Sequence, residues 1–256
     1  MTPESFRVSL FYSMITSQDN NLIKKITKLA SKKYRDEYNS FVIEGFRSVK
    51  DSLSLLDVEK IVLSESAELK YGAEFDNYEV VSDKIFTKIC NTENAQGVIA
   101  VVSKKINNNI DSDYCLFLDR VRDPGNMGTI LRTAIACGFN TVYCNDCVDV
   151  YNPKVVRSSM SAIAKLDIFS VNEDILDTLK TKGFAIVCAH MNGDDVFKSS
   201  VGFQKICLVA GNEANGVSDL VINKADKIVS LPMENIESLN VSVATAVIMY
   251  QLKYNK

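Results

Sequence analysis

Apolar and polar residues alternate along the chain in two patterns, one typical of short strands and one typical of amphipathic helices. In residues 20–35, apolar side chains recur at helical spacing between lysines, which predicts an amphipathic helix. After residue 40 the pattern changes to short apolar runs separated by a helical stretch, so we expect a small α/β unit. Its predicted strand, helix and two further strands occupy residues 41–43, 45–56, 60–63 and 97–102.

A second and longer α/β pattern begins at residue 114. Its predicted strands occupy residues 114–119, 141–144, 184–189, 206–210 and 227–230, and its predicted helices 127–137, 154–164 and 239–254. Continuous apolar runs such as residues 115–118 indicate strands buried on both faces, which is typical of a parallel sheet. Residues 106–113 are rich in asparagine, so we expect a linker there. The sequence therefore predicts two α/β domains, residues 1–105 and 114–256, of which the second contains a mostly parallel sheet.

The composition is that of a globular protein, with 46% hydrophobic and 24% charged residues. It excludes disordered, collagen-like and coiled-coil chains. No apolar run reaches the roughly 18 residues of a membrane span, and the first residues lack the apolar core of a signal peptide. We therefore expect a cytoplasmic protein that does not enter a membrane.

Side chains that bind metals are few in this sequence. The chain has a single histidine, His190, and seven cysteines that lie mostly in apolar runs. Cys144 and Cys147 form one CxxC pair without a second pair, so a zinc site would need distant ligands. We expect buried free thiols in a reducing compartment, no metal site, and a structural or cofactor-adjacent role for His190.

Six positive charges lie in residues 20–35, although the net charge of the chain is −3. They belong to Lys24, Lys25, Lys28, Lys32, Lys33 and Arg35. No acidic residue interrupts them, so the segment is either a solvated helix face or a local contact for a polyanion.

Glycine and proline are scarce, with 11 and 4 residues, but six of them lie in three loops that follow predicted strands. These six are Pro124, Gly125, Gly128, Gly211, Gly216 and Pro232. In open parallel sheets, ligands bind at the carboxyl ends of the strands, and glycine lets a ligand approach the backbone closely. Neither glycine loop matches the GxGxxG or P-loop patterns, so we expect a nucleoside-type ligand of another kind.

Three segments resemble the ordered motifs of the SpoU/TrmH RNA 2′-O-ribose methyltransferases. They read DPGNMGTILRTA at residues 123–134, LVAGNEANGVS at residues 208–218, and LPM with ESLNVSVA at residues 231–233 and 237–244. The segment FVIEG at residues 41–45, followed by a helix, is similar to the small RNA-binding domain of that family, which resembles a ribosomal protein. The resemblance implies a SPOUT fold, an α/β domain with a mostly parallel sheet and a deep trefoil knot. It also implies a homodimer formed through the knotted domain, with S-adenosylmethionine bound in the knot.

The resemblance further implies which residues hold the cofactor, namely Gly211, Asn212, Leu231, Met233 and Leu239. The position of Gly211 directly after an apolar strand agrees with this, since backbone groups and apolar walls can hold an adenine. Core packing stays an alternative for the two leucines.

Around the reacting ribose, the resemblance implies Asn126, Arg132, Glu213, Ser238 and Asn240. Arg132 lies in an otherwise apolar helix, so we expect its guanidinium to reach a pocket or an anion; a surface ion pair is the alternative. Its implied role is to bind the phosphate beside the ribose and to assist deprotonation of the 2′-hydroxyl, either as the base or by electrostatic positioning alone. Glu213 can hold a guanidinium in a bidentate pair, and Ser238 can instead cap the last helix.

The resemblance therefore implies methyl transfer from S-adenosylmethionine to a ribose 2′-hydroxyl of structured RNA, either rRNA or tRNA. In that case residues 1–105 form the RNA-binding domain, and the six cations of residues 20–35 contact RNA phosphates. Two alternatives stay open: a non-catalytic RNA-binding or ribosome-assembly factor with the same fold, and an RNA methyltransferase that modifies a base.

Overall fold

The computed structural model describes residues 14–92, 95–105, 112–199 and 201–255, which form two sheets, one in each half of the chain. The first sheet contains β1 (Ser40–Glu44), β2 (Val58–Ser64), β3 (Glu79–Val81) and β4 (Val98–Ser103), in the order β1-β4-β2-β3. Strand β4 pairs antiparallel with β1 and β2, and β3 pairs parallel with β2. The helices of this half are α1 (Asn21–Lys28), α2 (Lys32–Glu37), α3 (Phe46–Ser52), α4 (Glu65–Tyr71) and α5 (Asp83–Ile89).

The single helix predicted for residues 20–35 is wrong, because the structure has two helices there. Asn20 caps α1 by accepting a hydrogen bond from the Leu22 N–H at 2.8 Å. The chain turns after Leu29, whose side chain is buried, and α2 then begins at Lys32. The apolar side chains Ile23, Ile26 and Leu29 share one core, whereas the buried residue of α2 is Arg35.

The second sheet has six strands in the order β10-β8-β9-β5-β6-β7, and every pair is parallel, so the predicted mostly parallel sheet is confirmed. The strands are β5 (Tyr114–Asp119), β6 (Thr141–Asn145), β7 (Asp167–Val171), β8 (Ala185–Asp195), β9 (Ile206–Ala210) and β10 (Lys227–Ser230). The helices are α6 (Pro124–Cys137), α7 (Pro153–Ser158), α8 (Ala162–Lys165), α9 (Ile175–Thr181), α10 (Asp219–Ile222) and α11 (Val241–Tyr254).

Strands β5 and β9 are buried along their whole length, and alternate residues face two separate cores. Leu116 and Leu208 belong to the core under α6 and α11, whereas Phe117 and Val209 belong to the core on the opposite face. This two-sided burial explains the continuous apolar runs in the sequence. All seven cysteines are free, and five of them are buried.

The helix predicted for residues 154–164 is also divided into two, α7 and α8. Between them Met160 and Ser161 both have left-handed backbone conformations, with φ values of 48° and 65°. Two consecutive left-handed residues cannot continue an α-helix, so the chain turns there.

The two halves of the chain pack against each other. The rings of Phe41 and Tyr151 lie 4.8 Å apart, and Val156 and Ile163 extend the core of the first sheet. The predicted linker, residues 106–113, lies outside the described residues except for positions 112 and 113. No helix in the described ranges has the length and apolar character needed to cross a membrane.

Candidate active site

Three loops meet at the carboxyl ends of the parallel strands: the one between β5 and α6, the one after β9, and the one before α11. A chain of side-chain hydrogen bonds joins them. Asn240 Nδ2 donates to Asn126 Oδ1 at 2.9 Å, and Asn126 Nδ2 donates to Glu213 Oε1 at 3.1 Å. We call this chain of three side chains the amide relay. Three residues from three predicted motifs are therefore in direct contact.

Local capping positions both asparagines of the relay. Asp123 caps α6 by accepting the Asn126 N–H at 2.8 Å, and Pro124 occupies the first helical position. Asn240 caps α11, because its Oδ1 accepts the N–H of Ser242 at 2.9 Å and the Ser242 hydroxyl at 2.6 Å. The cap of the last helix is therefore Asn240, and Ser238, proposed from sequence as the alternative cap, is exposed in the preceding loop.

The carboxylate of Glu213 does not hold a guanidinium, which corrects the expected bidentate pair. It accepts the backbone N–H groups of Arg122 at 3.2 Å and Asp123 at 3.0 Å. Partial burial raises the pKa of Glu213, but the hydrogen bonds from Asn126 and from this backbone outweigh that effect and lower it. Glu213 therefore fixes the loop between β5 and α6 as a charged acceptor.

Arg132 is exposed on α6, and its guanidinium makes no ion pair with any described residue. The prediction that this guanidinium reaches an anion therefore stays a prediction, and the alternative of a surface ion pair finds no partner among the described residues. Six residues along a helix displace Arg132 from Asn126 by about 9 Å along the axis. The guanidinium thus remains free to bind an anion that approaches from solvent.

The loop after β9 closes on itself around a glycine that cannot be replaced without a clash. A Cβ at Gly211 would lie 2.2 Å from backbone atoms of Gly216 and Val217. Asn212 and Gly216 exchange backbone hydrogen bonds of 2.9 Å, and Asn212 Nδ2 donates to the Arg120 carbonyl at 2.8 Å. The loop therefore presents backbone close to any ligand at this edge.

The loop before α11 supplies apolar side chains to the same region. Leu231 is partly buried against the core, so core packing accounts for it in part. Leu239 and Met233 are 41% and 36% exposed, so burial in the core does not account for either of them.

The sequence reasoning missed Asp119, the last residue of β5, which is fully buried. Its carboxylate accepts the Ser218 N–H at 2.8 Å and Asn145 Nδ2 at 3.0 Å. Asp119 thereby ties the loop after β9 to the ends of β5 and β6. The signal in the sequence was an acidic residue at the end of a wholly apolar run.

The six predicted RNA-contacting cations have different environments. Lys24, Lys28, Lys32 and Lys33 are exposed. Lys24 and Lys32 form ion pairs with Asp19 and Asp36, and Lys25 pairs with Glu59. The ammonium groups of Lys28 and Lys33 lie 5.2 and 5.5 Å from the ring centre of Tyr34.

The structure contradicts the predicted contact of Arg35 with RNA, because the Arg35 side chain is only 3% exposed. Nη2 donates to Asp149 Oδ2 at 2.6 Å, and Nη1 donates to the carbonyls of Leu29 and Ala30, each at 2.8 Å. Its charge is therefore used inside the protein, where it joins the two halves of the chain.

The histidine, cysteine and acidic side chains of the described residues form no cluster that could bind a metal ion. Within the described ranges, no three histidine, cysteine or acidic side chains are grouped so that they could hold a metal ion. His190 lies in β8, where its Nδ1 accepts the Asn192 N–H at 3.3 Å.

Comparisons with known proteins agree with this arrangement. Residues 113–250 match the SpoU rRNA Methylase family, and residues 20–100 match the MRM3-like substrate binding domain. The chain is 29% identical over 247 residues to the 23S rRNA (guanosine(2553)-2'-O)-methyltransferase RlmP of Bacillus subtilis, which covers 93% of this chain and 98% of the relative.

Two solved structures share the fold over nearly the whole chain. An AdoMet-bound rRNA methyltransferase from Sinorhizobium meliloti has a TM-score of 0.82 at 27% identity and covers 94% of this chain and 97% of its own. The SpoU methyltransferase AviRb from Streptomyces viridochromogenes, in complex with the cofactor AdoMet, has a TM-score of 0.81 at 25% identity, covering 92% and 98%.

Proposed function

The chain belongs to the SpoU rRNA methylase family, and from that premise we propose that it transfers a methyl group from S-adenosylmethionine to a ribose 2′-hydroxyl of structured RNA. The rRNA substrate in the name of the Bacillus relative supports rRNA over tRNA. The amide relay carries this proposal, because it brings together one residue from each of three loops that contain the family motifs.

The loops fit S-adenosylmethionine. The closed turn at Gly211 offers backbone N–H and C=O groups, which suit the polar edge of an adenine. Leu231, Met233 and Leu239 offer apolar contact, and Asn212 holds the turn in place. When bound, S-adenosylmethionine supplies an electrophilic sulfonium methyl group.

On this proposal the residues of the chain act mainly by positioning. The amide relay holds the loop after β9, the start of α6 and the loop before α11 at fixed separations. An incoming ribose therefore meets a preorganised site. Arg132 binds the phosphate next to the ribose and stabilises charge as the 2′-hydroxyl loses its proton. Ser238, exposed in the loop before α11, contacts a sugar hydroxyl.

We further propose that two copies form a dimer through the C-terminal domain. Residues on one side of α11 are apolar and more than a third exposed: Val243, Val247, Tyr250 and Tyr254. They recur at i, i+4, i+7 and i+11, which makes a continuous stripe along the helix. A surface groove runs along this stripe and is lined by Val247, Tyr250 and Tyr254 together with Phe197, which is 52% exposed.

A trefoil knot in this domain is part of the same proposal. Strand β10 lies at one outer edge of the sheet, beyond β8, and the chain then returns to pack α11 against α6. Gly193 of β8 lies against β10 where their pairing shifts register, and a Cβ there would lie 2.6 Å from Val229 backbone atoms. The free cysteines support placement of the protein in the cytoplasm.

For the two halves of the chain we propose that residues 1–105 bind the RNA substrate and residues 114–256 carry out catalysis. The exposed lysines Lys24, Lys28, Lys32 and Lys33, with Lys25 at their edge, are placed to contact phosphates. Arg35 is not part of this surface.

Methylation of rRNA from cells that lack the protein tests the proposal. With radiolabelled S-adenosylmethionine, we expect transfer to one or a few sites and a 2′-O-methylnucleoside after digestion. A base-methylated nucleoside would show a base-directed enzyme. No transfer to either rRNA or tRNA, together with intact RNA binding, would favour the non-catalytic factor.

Arg132→Ala tests the assigned residue. We expect loss of transfer with cofactor affinity unchanged in calorimetry, and partial activity in Arg132→Lys, which keeps the charge and loses the planar fork. Turnover of Arg132→Ala close to that of the wild type would remove Arg132 from the mechanism.

A further inference from the structure

A cleft of about 300 Å³ lies between the two halves of the chain, and the residues of the amide relay do not line it. The first half contributes Glu44, Arg47 and Gln96, and the second half contributes Arg157 and Met160. This volume is at the lower end for ligand pockets, which suits a single nucleotide.

Two guanidinium groups at this cleft form no ion pair with any acidic residue that the structure describes. Arg47 is exposed and forms no ion pair with any described residue. Arg157 is also exposed, and in the part of the chain that the structure describes its guanidinium makes one hydrogen bond, from Nη1 to the Asn91 carbonyl at 3.2 Å. Glu44 adds a carboxylate to the same cleft; it forms no ion pair with Arg47 or Arg157 and accepts the Asn91 N–H at 3.0 Å and the Asn91 side-chain amide at 2.7 Å. The cleft therefore offers two planar cations suited to a phosphate group.

A large apolar side chain is also held at this cleft by an unfavourable backbone. Met160 is 49% exposed, although its left-handed φ of 48° is disfavoured for any residue with a Cβ. The next residue, Ser161, is left-handed as well, and its hydroxyl donates to Asp51 Oδ2 of α3 at 3.1 Å. Contacts from both halves thus hold the turn that exposes Met160, and strained turns of this kind are common at ligand sites.

Gln96 adds a side-chain amide to the polar groups of the cleft, which also include Ser48 and Thr92. Gln96 Oε1 accepts the Phe46 N–H at 2.9 Å, which orients the amide. Its NH2 group donates to no described residue, so two N–H donors remain for a ligand. A polarizable methionine beside an oriented amide is a suitable surface for a nucleobase.

The cleft is linked directly to the amide relay. Ser158, the residue after Arg157, donates through its hydroxyl to the Pro124 carbonyl at 3.2 Å, in the first turn of α6. Asn126 lies in that same turn. A nucleotide in the cleft would therefore be close to the ribose at the relay.

We propose that the cleft binds one nucleotide of the RNA substrate next to the target nucleotide. Its base contacts Met160 and the Gln96 amide, and its phosphate lies between Arg47 and Arg157. This inference rests on the proposed function, since it names a second contact of the same RNA.

RNA binding measured at several salt concentrations tests the inference, with the rRNA used for methylation as the probe. For Arg47→Ala and Arg157→Ala we expect about tenfold weaker binding each, and a salt dependence that is lower by about one unit of slope. Cofactor affinity should stay unchanged. Lys50→Ala is the matched control, because Lys50 lies on α3 with Arg47 but pairs with Glu74.

Met160→Gly separates a binding role from a structural one. Glycine adopts the left-handed conformation freely, so we expect an equal or higher Tm together with weaker RNA binding. Wild-type affinity and salt slope in both arginine variants would overturn the inference, and so would wild-type affinity in Met160→Gly. If the cleft variants weaken RNA binding but the wild-type protein transfers no methyl group, the proposed function fails and the nucleotide site stands.

Discussion

Replacing Arg35 with alanine removes one partner of a buried ion pair that joins the two halves of the chain. The Arg35 side chain is 3% exposed and that of Asp149 is 15% exposed. Nε and Nη2 both donate to Asp149 Oδ2, at 3.1 and 2.6 Å. The substitution would leave the Asp149 charge without its cation and the carbonyls of Leu29 and Ala30 without their donor.

The expected cost follows from this burial. Breaking a buried pair by removing one partner costs about 3–5 kcal/mol, because the other charge stays uncompensated. Asp149 keeps some contact with water and still accepts the Tyr151 N–H at 3.0 Å, so we expect the lower end of that range. In a chain of this size a loss of about 3 kcal/mol lowers the Tm by about 6–12 °C.

Urea unfolding and thermal melts of Arg35→Ala, Asp149→Ala and the double variant measure this effect. The double variant should be less destabilised than the sum of the two single variants. Lys32→Ala is the control, because its ion pair with Asp36 is exposed and should contribute less than about 1 kcal/mol. If Arg35→Ala melts like Lys32→Ala, or if the two single effects add, then the pair does not hold the halves together. At a temperature where Arg35→Ala is folded, the salt dependence of RNA binding should equal that of the wild type.

Substitutions at three further positions test the packing and the amide relay. Gly128→Ala would place a Cβ 1.8 Å from Ser158 Oγ and 2.9 Å from the Ser158 carbonyl carbon. We therefore expect the free energy of unfolding, measured in urea, to fall by about 1–3 kcal/mol. Wild-type stability would contradict this contact. Glu213 has a folded pKa below its ordinary 4.5, so it stabilises the fold at neutral pH and loses that effect as the pH falls through the folded value. The stability of Glu213→Gln should therefore change less with pH below about 5 than that of the wild type, and equal slopes would refute the assignment. Asn240→Ala should lose about 1 kcal/mol of stability, because it removes the cap of α11. Asn240→Asp should keep the cap but lose the hydrogen bond to Asn126, so we expect a lower kcat with an unchanged Tm. Full turnover in Asn240→Asp would show that this hydrogen bond is unimportant.

Local sequence was sufficient for five of the six strands of the second sheet and for the loops at the candidate site. The wholly apolar runs of β5 and β9 are buried on both faces, and glycine and proline mark the loops at their ends, so the edge that holds the candidate site was predictable. Strand β7 and helix α9 were not predicted. The burial of β7 is only partial, and its apolar pattern is correspondingly weak.

The partners of charged side chains could not be read from local sequence. Arg35 follows two lysines and precedes two acidic residues, whereas Arg132 lies in an otherwise apolar helix, so local sequence favours exposure of Arg35 and burial of Arg132. The structure buries Arg35 against Asp149 and leaves Arg132 exposed. Likewise Glu213, expected to hold a guanidinium, instead accepts backbone N–H groups of the neighbouring loop.

The sequence by itself therefore determined the order of five strands of the second sheet, the glycines that the tight loops need, and the motifs that identify the family. The tertiary structure alone decided which polar groups meet, where helices break and which cations remain free. Two contacts illustrate the reason, because Arg35–Asp149 and Asn126–Asn240 each join residues 114 positions apart. Spacing along a helix or strand reports only on near neighbours, whereas contacts over such separations depend on how the whole chain packs.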